Sequence, residues 1–304
     1  MQQLPADIQV IDTLHVGKTG TIACYADLQG ALVLVDPGPQ VSFAEVERQL
    51  ATQGARMTDV AAILLTHIHL DHAGAVGSIV RDYPHIRVYV HERGAPHLVD
   101  PTRLLRSATR IYGGLMDALW GEFLPVPAAN LQVLQGGEVL DIAGTHYQVL
   151  YTPGHAVHHV TYVRTSDGVA FIGDTAGIRM QGYTYIRPAT PPPDIDLAVW
   201  DASVAAINHV QPQALCLTHF GPVFAVADHL QRMQASNWRW AEYVRDWRLR
   251  GWSDEEQIAE LRRIATAEMG ADATPDGIAA YQKGASIEMS WQGLSRFWQQ
   301  KESV

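Results

Sequence analysis

The densest chemistry in the chain lies in Thr66-His67-Ile68-His69-Leu70-Asp71-His72, which sets three imidazoles and a carboxylate within six residues. Burying these groups without a coordinating partner carries a large desolvation cost, so the run predicts a bound cation. In extended backbone the side chains of residues i and i+2 share a side, which lets His67 and His69 grip one ion. Where the chain turns into a helix, Asp71 and His72 face a neighbouring ion. Imidazole nitrogen with carboxylate oxygen and no thiolate suits Zn²⁺, Fe²⁺ or Mn²⁺, with zinc the first expectation.

Three further candidates share one layout, a polar residue at the exit of an apolar strand. Val149 to Thr152 leads into Pro153-Gly154-His155, Val169 to Gly173 into Asp174, and Ala214 to Thr218 into His219. The seven divide into His67, His69 and His155 on one ion and Asp71, His72 and His219 on the other, with Asp174 bridging. Two ions roughly 3.5 to 4 Å apart hold a bridging hydroxide at neutral pH, and that hydroxide attacks a carbonyl or phosphorus centre. Asp71 is the expected catalytic residue, orienting the hydroxide and then carrying a proton to the leaving group. Ser78 and Ser203 read as ordinary helix serines, and no Ser-His-Asp nucleophile is needed.

The elements that must position these residues are legible as short β-rich runs with turns between them. Ile8 to His15, Thr21 to Asp27 and Ala31 to Asp36 are expected strands, broken by Asp36-Pro37-Gly38-Pro39. Ser42 with Glu45 predicts a capping box opening a helix that runs to about Gln53-Gly54. Ala61 to Leu65 reads as a strand buried on both faces that delivers the first histidine cluster. After a helical pattern from Asp71, Arg87 to Val90 is another strand. In Asp100 to Glu122 the residues Leu104, Ala108, Ile111, Leu115 and Leu119 recur at helical spacing, with Arg103, Arg106 and Arg110 on a face expected to be solvated. A second strand series follows: Glu138 to Ile142, Tyr147 to Thr152, His159 to Arg164 and Val169 to Gly173. Asp196 to His209 reads as a helix and Ala214 to Thr218 as a last buried strand. Beyond Val226 the pattern is helical and rich in tryptophan, expected to pack as core.

Composition narrows the partners. With 304 residues, 47% hydrophobic and 18% charged, the chain can bury a large core. A net charge of −10 offers no basic field for a phosphate backbone, so nucleic acid is not an expected partner. Cys24 and Cys216 each lie in an apolar run and are expected to be buried free thiols. No signal peptide and no apolar run of about 18 residues is visible, so no membrane span is expected and a cytoplasmic location is.

The His-x-His-x-Asp-His block, the Thr-Pro-Gly-His block, the Gly-Asp after a strand and the final strand-end histidine resemble the metallo-β-lactamase superfamily, over roughly residues 8 to 225. The resemblance implies an α+β fold, the four-layer αββα sandwich, with a dinuclear site along one edge of the β-sandwich. The expected division is a domain over 1–225, with a helical insertion near 100–122, and a helical extension over 226–304. Gly173-Asp174 makes the chain look more like the glyoxalase II and lactonase branches than the antibiotic-degrading enzymes. His159 stands where relatives also carry a histidine and reads as a supporting residue, whereas His158 replaces their usual glycine.

Hydrolysis of an ester, thioester or lactone in a small-molecule substrate is the first functional expectation. Phosphodiester or phosphotriester hydrolysis at the same site is the second, and a mononuclear iron enzyme resembling the persulfide dioxygenases is the third. Tyr183 and Tyr185, in an aromatic and proline-rich loop, are the candidate substrate-binding residues. The 100–122 segment and the C-terminal helices are read as a lid, a homodimer contact or core.

Overall fold

The computed structural model describes residues 2–284 and 286–302, and its strands form two six-stranded sheets. The first runs in chain order: β1 (Ile8–Asp12), β2 (Ala23–Asp27), β3 (Leu32–Val35), β4 (Val60–Leu64), β5 (Arg87–His91) and β6 (Leu131–Leu134). Its first three strands form an antiparallel meander, and β3 to β6 pair in parallel. Parallel neighbours need crossovers, and helices supply them: α1 (Phe43–Thr52) between β3 and β4, then α2 (Leu70–Ala73) and α3 (Val76–Asp82) between β4 and β5.

The second sheet contains β7 (Val139–Ile142), β8 (Thr145–Tyr151), β9 (Val160–Arg164), β10 (Val169–Gly173), β11 (Ala214–Leu217) and β12 (Gly221–Val223). Its order is β12-β11-β10-β9-β8-β7, antiparallel except for the β10–β11 pair.

Side chains alternate across each strand and sort into three apolar layers. Val33, Val35 and Leu64 meet Tyr147, Val149, Tyr162 and Phe171 between the sheets. Leu34, Ile63 and Val88 face outward onto Val46 and Leu50 of α1 and Val76 and Ile79 of α3. Ala170, Ile172 and Leu215 face outward onto Trp200, Val204 and Ile207 of α7 (Leu197–His209). Helix, sheet, sheet and helix therefore stack as the αββα sandwich. Asp196 caps α7, accepting from the backbone N–H groups of Ala198 and Val199 at 3.1 and 3.3 Å.

The C-terminal helices are α8 (Val226–Leu249), α9 (Asp254–Glu268), α10 (Pro275–Gly284) and α11 (Ile287–Glu302), the first three residues or so after the last strand. Leu230, Trp240, Trp247, Trp291 and Leu294 from this region share one apolar cluster with α7 and the second sheet. A tail that reads as an extension is thus continuous with the outer layer of the sandwich. Cys24 and Cys216 are buried free thiols between or beside the sheets.

Several local expectations change. Ser42 does not cap α1, because it sits in a turn with φ −102° and ψ −6° rather than the extended backbone a cap requires. Its hydroxyl lies 3.3 Å from His15 Nδ1 instead, and Glu45 pairs with Arg48 and Gln49. The 100–122 segment is not one helix but α5 (Thr102–Tyr112) and α6 (Met116–Leu119), separated at Gly113-Gly114 with Gly113 at φ 54°. α4 (Ala95–Val99) precedes them. β1 stops at Asp12, short of His15, because Leu14 and Val16 adopt left-handed backbone. β6 and β12 were not expected: β12 is a three-residue edge strand carrying Pro222, where a missing N–H is tolerated.

Candidate metal centre

All seven candidate ligands reach the same end of the sandwich. β4 delivers Thr66, His67 and His69, and the short α2 carries Asp71 and His72. The loop after β8 brings His155, β10 ends one residue before Asp174, and β11 ends two residues before His219. Gly173 makes the turn into Asp174 possible. Its φ is 50°, and a Cβ there would lie 2.5 Å from Thr66 Oγ1 and 2.7 Å from His159 Nε2.

The inward-facing atoms form two sets. His67 Nε2 and His155 Nε2 stand 2.9 and 3.1 Å from His69 Nδ1. Asp71 Oδ2 stands 3.1 Å from His219 Nε2 and 3.9 Å from His72 Nε2. Asp174 lies between them. Its Oδ2 is 3.5 Å from His155 Nε2, while its Oδ1 is 3.4 Å from His72 Nε2 and 3.6 Å from His219 Nε2. Within each of the groups His67–His69–His155, His67–His72–Asp174 and Asp71–His72–His219, the donor atoms lie within 4.8 Å of one another.

What turns these nitrogens inward is a layer of partners behind them. His155 Nδ1 meets Ala189 O at 2.7 Å and His219 Nδ1 meets Thr21 O at 2.9 Å, so each donates outward and keeps its Nε2 lone pair for the centre. His72 Nδ1 lies 2.8 Å from Asp36 Oδ2. Asp36 also accepts from Thr66 N (2.8 Å), Thr66 Oγ1 (2.7 Å) and Thr218 Oγ1 (2.9 Å), and Thr66 Oγ1 is 3.1 Å from His67 Nδ1. One buried carboxylate therefore orients ligands of both sets. His159 supports Asp174: its Nε2 accepts from the Asp174 N–H at 3.3 Å, and its Nδ1 is 3.0 Å from Thr152 Oγ1.

The donor set fits a divalent cation. Burial, with the neighbouring imidazoles, pushes His69 down to about 3 and holds His67 well below its ordinary value; burial lowers His155 too. Three neutral imidazoles pointing lone pairs at one another are repulsive unless a cation lies between them. In the other set burial alone would lower His72, but Asp36, Asp174 and Asp71 outweigh it and hold it well above. His219 is raised likewise by Asp174 and Asp71 against its burial. Burial alone would raise Asp174, yet His219 and His72 hold it well below. His72 Nε2 and Asp174 Oδ1 are buried with no hydrogen-bond partner, an arrangement costing about 1–3 kcal/mol per group unless something is bound. The residues and their orphaned atoms match a metal centre.

The profile of the metallo-beta-lactamase superfamily matches residues 23–220. The chain belongs to the metallo-β-lactamase superfamily. This is a superfamily of metal-dependent hydrolases. A metallo-beta-lactamase fold-containing protein of Sulfurisphaera tokodaii is 29% identical over 206 residues, 66% of this chain and 74% of that protein. A hydroxyacylglutathione hydrolase of Xylella fastidiosa is 32% identical over 146 residues, which is 48% of this chain and 41% of that enzyme. The chain thus spans less than half the length of such enzymes. Among solved structures, a metallo-beta-lactamase family protein of Thermus thermophilus shares the fold over 99% of this chain and 96% of its own, with a TM-score of 0.64 at 21% identity.

Beside the candidate ligands opens a cavity of about 940 Å³ lined by His69, Asp71, Asp174 and His219. Leu104, Ala108, Ile111, Leu115 and Leu119, the apolar series of the 100–122 segment, form one wall. Pro191, Pro192, Pro193 and Met289 belong to another part of the lining. Of the three arginines of that segment, Arg110 reaches the lining; Arg103 and Arg106 are exposed elsewhere.

Tyr183 and Tyr185 do not line this cavity. They pack on Tyr281 with ring centroids 5.9 and 5.1 Å apart, and Tyr185 is buried in the cluster under the C-terminal helices. Their loop is tied down by Asp272, which accepts from the N–H groups of Thr184 and Tyr185, so the aromatics serve packing. Two residues of the site escaped the sequence. Asp36 reads there only as part of a Pro/Gly turn, although an aspartate ending an apolar strand repeats the Gly173-Asp174 layout. His15 lines the cavity and reads as the end of a strand.

Proposed function

We propose that this chain is a binuclear metal-dependent hydrolase that cleaves an ester, thioester or lactone carbonyl, with zinc the first-choice metal and Fe²⁺ or Mn²⁺ its alternatives. The observation that carries this reading is Asp174, whose two carboxylate oxygens face different ligand sets, Oδ2 toward His155 and Oδ1 toward His72 and His219. When bound there, divalent ions supply an activated water and a Lewis acid for the carbonyl oxygen.

The chain's own residues do the rest. Asp71 is the more exposed of the two ligand-set carboxylates that line the cavity, its side chain 19% exposed against 7% for Asp174. It is therefore the group placed to take a proton from the attacking water and return it to the leaving atom. The apolar wall from Leu104 to Leu119 excludes water and receives the non-reacting part of the substrate. Likeness to hydroxyacylglutathione hydrolases over about half of the chain supports a carbonyl rather than a phosphorus centre.

Metal analysis of the purified protein, followed by assays on p-nitrophenyl acetate, γ-butyrolactone, bis-p-nitrophenyl phosphate and paraoxon, tests the proposal. Two equivalents of metal and turnover of the carbonyl substrates are expected. One equivalent of iron with oxygen consumption would sink hydrolysis, and turnover of the phosphorus compounds alone would move the reaction to phosphoesters.

A further inference from the structure

The loop joining β1 to β2 is built more rigidly than a connection requires. Asp12 staples its neck, with Oδ1 accepting from Leu14 N at 3.1 Å and Oδ2 from Gly20 N at 2.7 Å. Thr13 N donates to Ile22 O across the same neck, and Ala23 N to Thr218 O beside the ligand His219. Thr21 O is the outward partner of His219 itself. Within this frame Leu14 and Val16 hold φ of 47° and 46°, left-handed backbone that non-glycine residues rarely adopt and β-branched valine least of all. Such strain persists only where the surroundings impose it, and it concentrates at functional positions.

The residue between the two strained positions is His15. Its ring stacks on Trp120, centroids 5.3 Å apart and planes 14° from parallel, and its Nδ1 lies 3.3 Å from Ser42 Oγ. It is 7% exposed and lines the same cavity as Asp71 and His219. Among the described residues Ser42 Oγ has no other side-chain partner; it can donate to Nδ1 or accept from it, and donation leaves the ring proton on Nε2. In that tautomer Nε2–H has no protein partner among the described residues, and the ring that carries it lines the cavity. Burial lowers the imidazole from its ordinary value, with Asp71 raising it and His219 lowering it.

We infer that His15 is a catalytic residue of the carbonyl hydrolysis, its Nε2–H donating a hydrogen bond to the departing oxygen of the substrate. The inference rests on the hydrolase reading above. In the reaction the water oxygen bonds to the acyl carbon, and the bond from that carbon to the leaving oxygen breaks with its electron pair going to the oxygen. The water's proton reaches that oxygen by way of Asp71. His15 keeps its own proton and stabilises the oxygen while charge develops on it, the role of a preorganised donor.

Such a donor matters most when the leaving group is a poor one. With the zinc-loaded full chain, His15→Ala is expected to lower kcat/KM for γ-butyrolactone by about 10²-fold while p-nitrophenyl acetate, whose leaving anion is stable by itself, changes by less than about threefold. His15→Gln, which restores an N–H, recovers part of the lactone activity, and Ser42→Ala shifts the same ratio in the same direction by less. Metal content of His15→Ala is expected to match the wild type, while its Tm falls because the stacking on Trp120 and the contact with Ser42 are lost. Equal losses on both substrates, or none on either, overturn the assignment. A wild type silent on both substrates instead overturns the hydrolase reading and this one with it. Independently of activity, ¹⁵N NMR of histidine-labelled protein is expected to find His15 protonated at Nε2, and a proton at Nδ1 contradicts the inference.

Discussion

The two ends of the β-sandwich both bury charged side chains, and they do so in opposite ways. At one end Arg164, 1% exposed, lies at the close of β9. It bonds Asp27 at 2.8 Å and Asp7 at 3.0 and 3.1 Å, and also binds Asp167. Asp27, where β2 ends, also accepts from Tyr147 Oη at 2.6 Å and from Gln29 N at 3.0 Å. Guanidinium and carboxylates there satisfy each other within the protein. At the other end the two carboxylates and five imidazoles of the candidate ligand sets converge without that closure, leaving His72 Nε2 and Asp174 Oδ1 orphaned. Four imidazoles and carboxylates can close on a divalent ion where they cannot close on one another. The contrast teaches that burial of charge alone is no sign of a site; here orphaned atoms coincide with a convergence of imidazoles and carboxylates.

The largest test of the comparison removes the residue that faces both ligand sets. Asp174→Ala is expected to lose one ion by metal analysis and about 10³-fold or more in kcat/KM, since metal activation contributes several kcal/mol. Retention of both ions and full activity would break the assignment of Asp174 as a bridge. At the closed end Arg164→Ala strands Asp27 in the interior, and denaturant unfolding is expected to show a loss of about 3–5 kcal/mol with metal content unchanged. A change in metal content there would mean that the two ends are not independent.

Smaller effects sharpen the contrast. Asp36→Ala leaves every ligand in place but frees His72 and Thr66, so competition with a chelator should show metal affinity falling by about 10- to 100-fold. Against their burial, Asp36, Asp174 and Asp71 raise the proton affinity of His72, and Asp174 and Asp71 that of His219, so a bound ion would compete with protons there. Calorimetry in buffers of different ionisation heat should therefore register proton release on metal binding, diminishing as pH rises through the raised values. Smallest of all, Tyr183→Phe and Tyr185→Phe should leave kcat/KM within about twofold, because neither touches the cavity and such changes away from a site are worth under about 0.5 kcal/mol. A larger change in turnover would return that loop to the substrate.

The sequence by itself determined the strand ends at which the candidate ligands emerge, while the four-layer αββα fold was what its resemblance to the superfamily implied. Strand periodicity is local, and a ligand following an apolar strand must emerge at that strand's end, so His67, His69, His155, Asp174 and His219 were legible one strand at a time. Asp71 and His72 followed from their place in the same short run. Ser42 was legible as a helix opener only because local pattern cannot see His15 across the fold. Asp36 and His15 belong to the site through contacts made far along the chain, to Thr66 and Thr218 for the one and to Ser42 and Trp120 for the other. The same holds for the apolar face of α5 and α6. Its spacing showed that it must be covered, while the tertiary structure packs it against the first sheet's outer core and also makes it a wall of the cavity that Asp71 lines. Tertiary structure decided these points because orientation, burial and hydrogen-bond closure are set by neighbours in space.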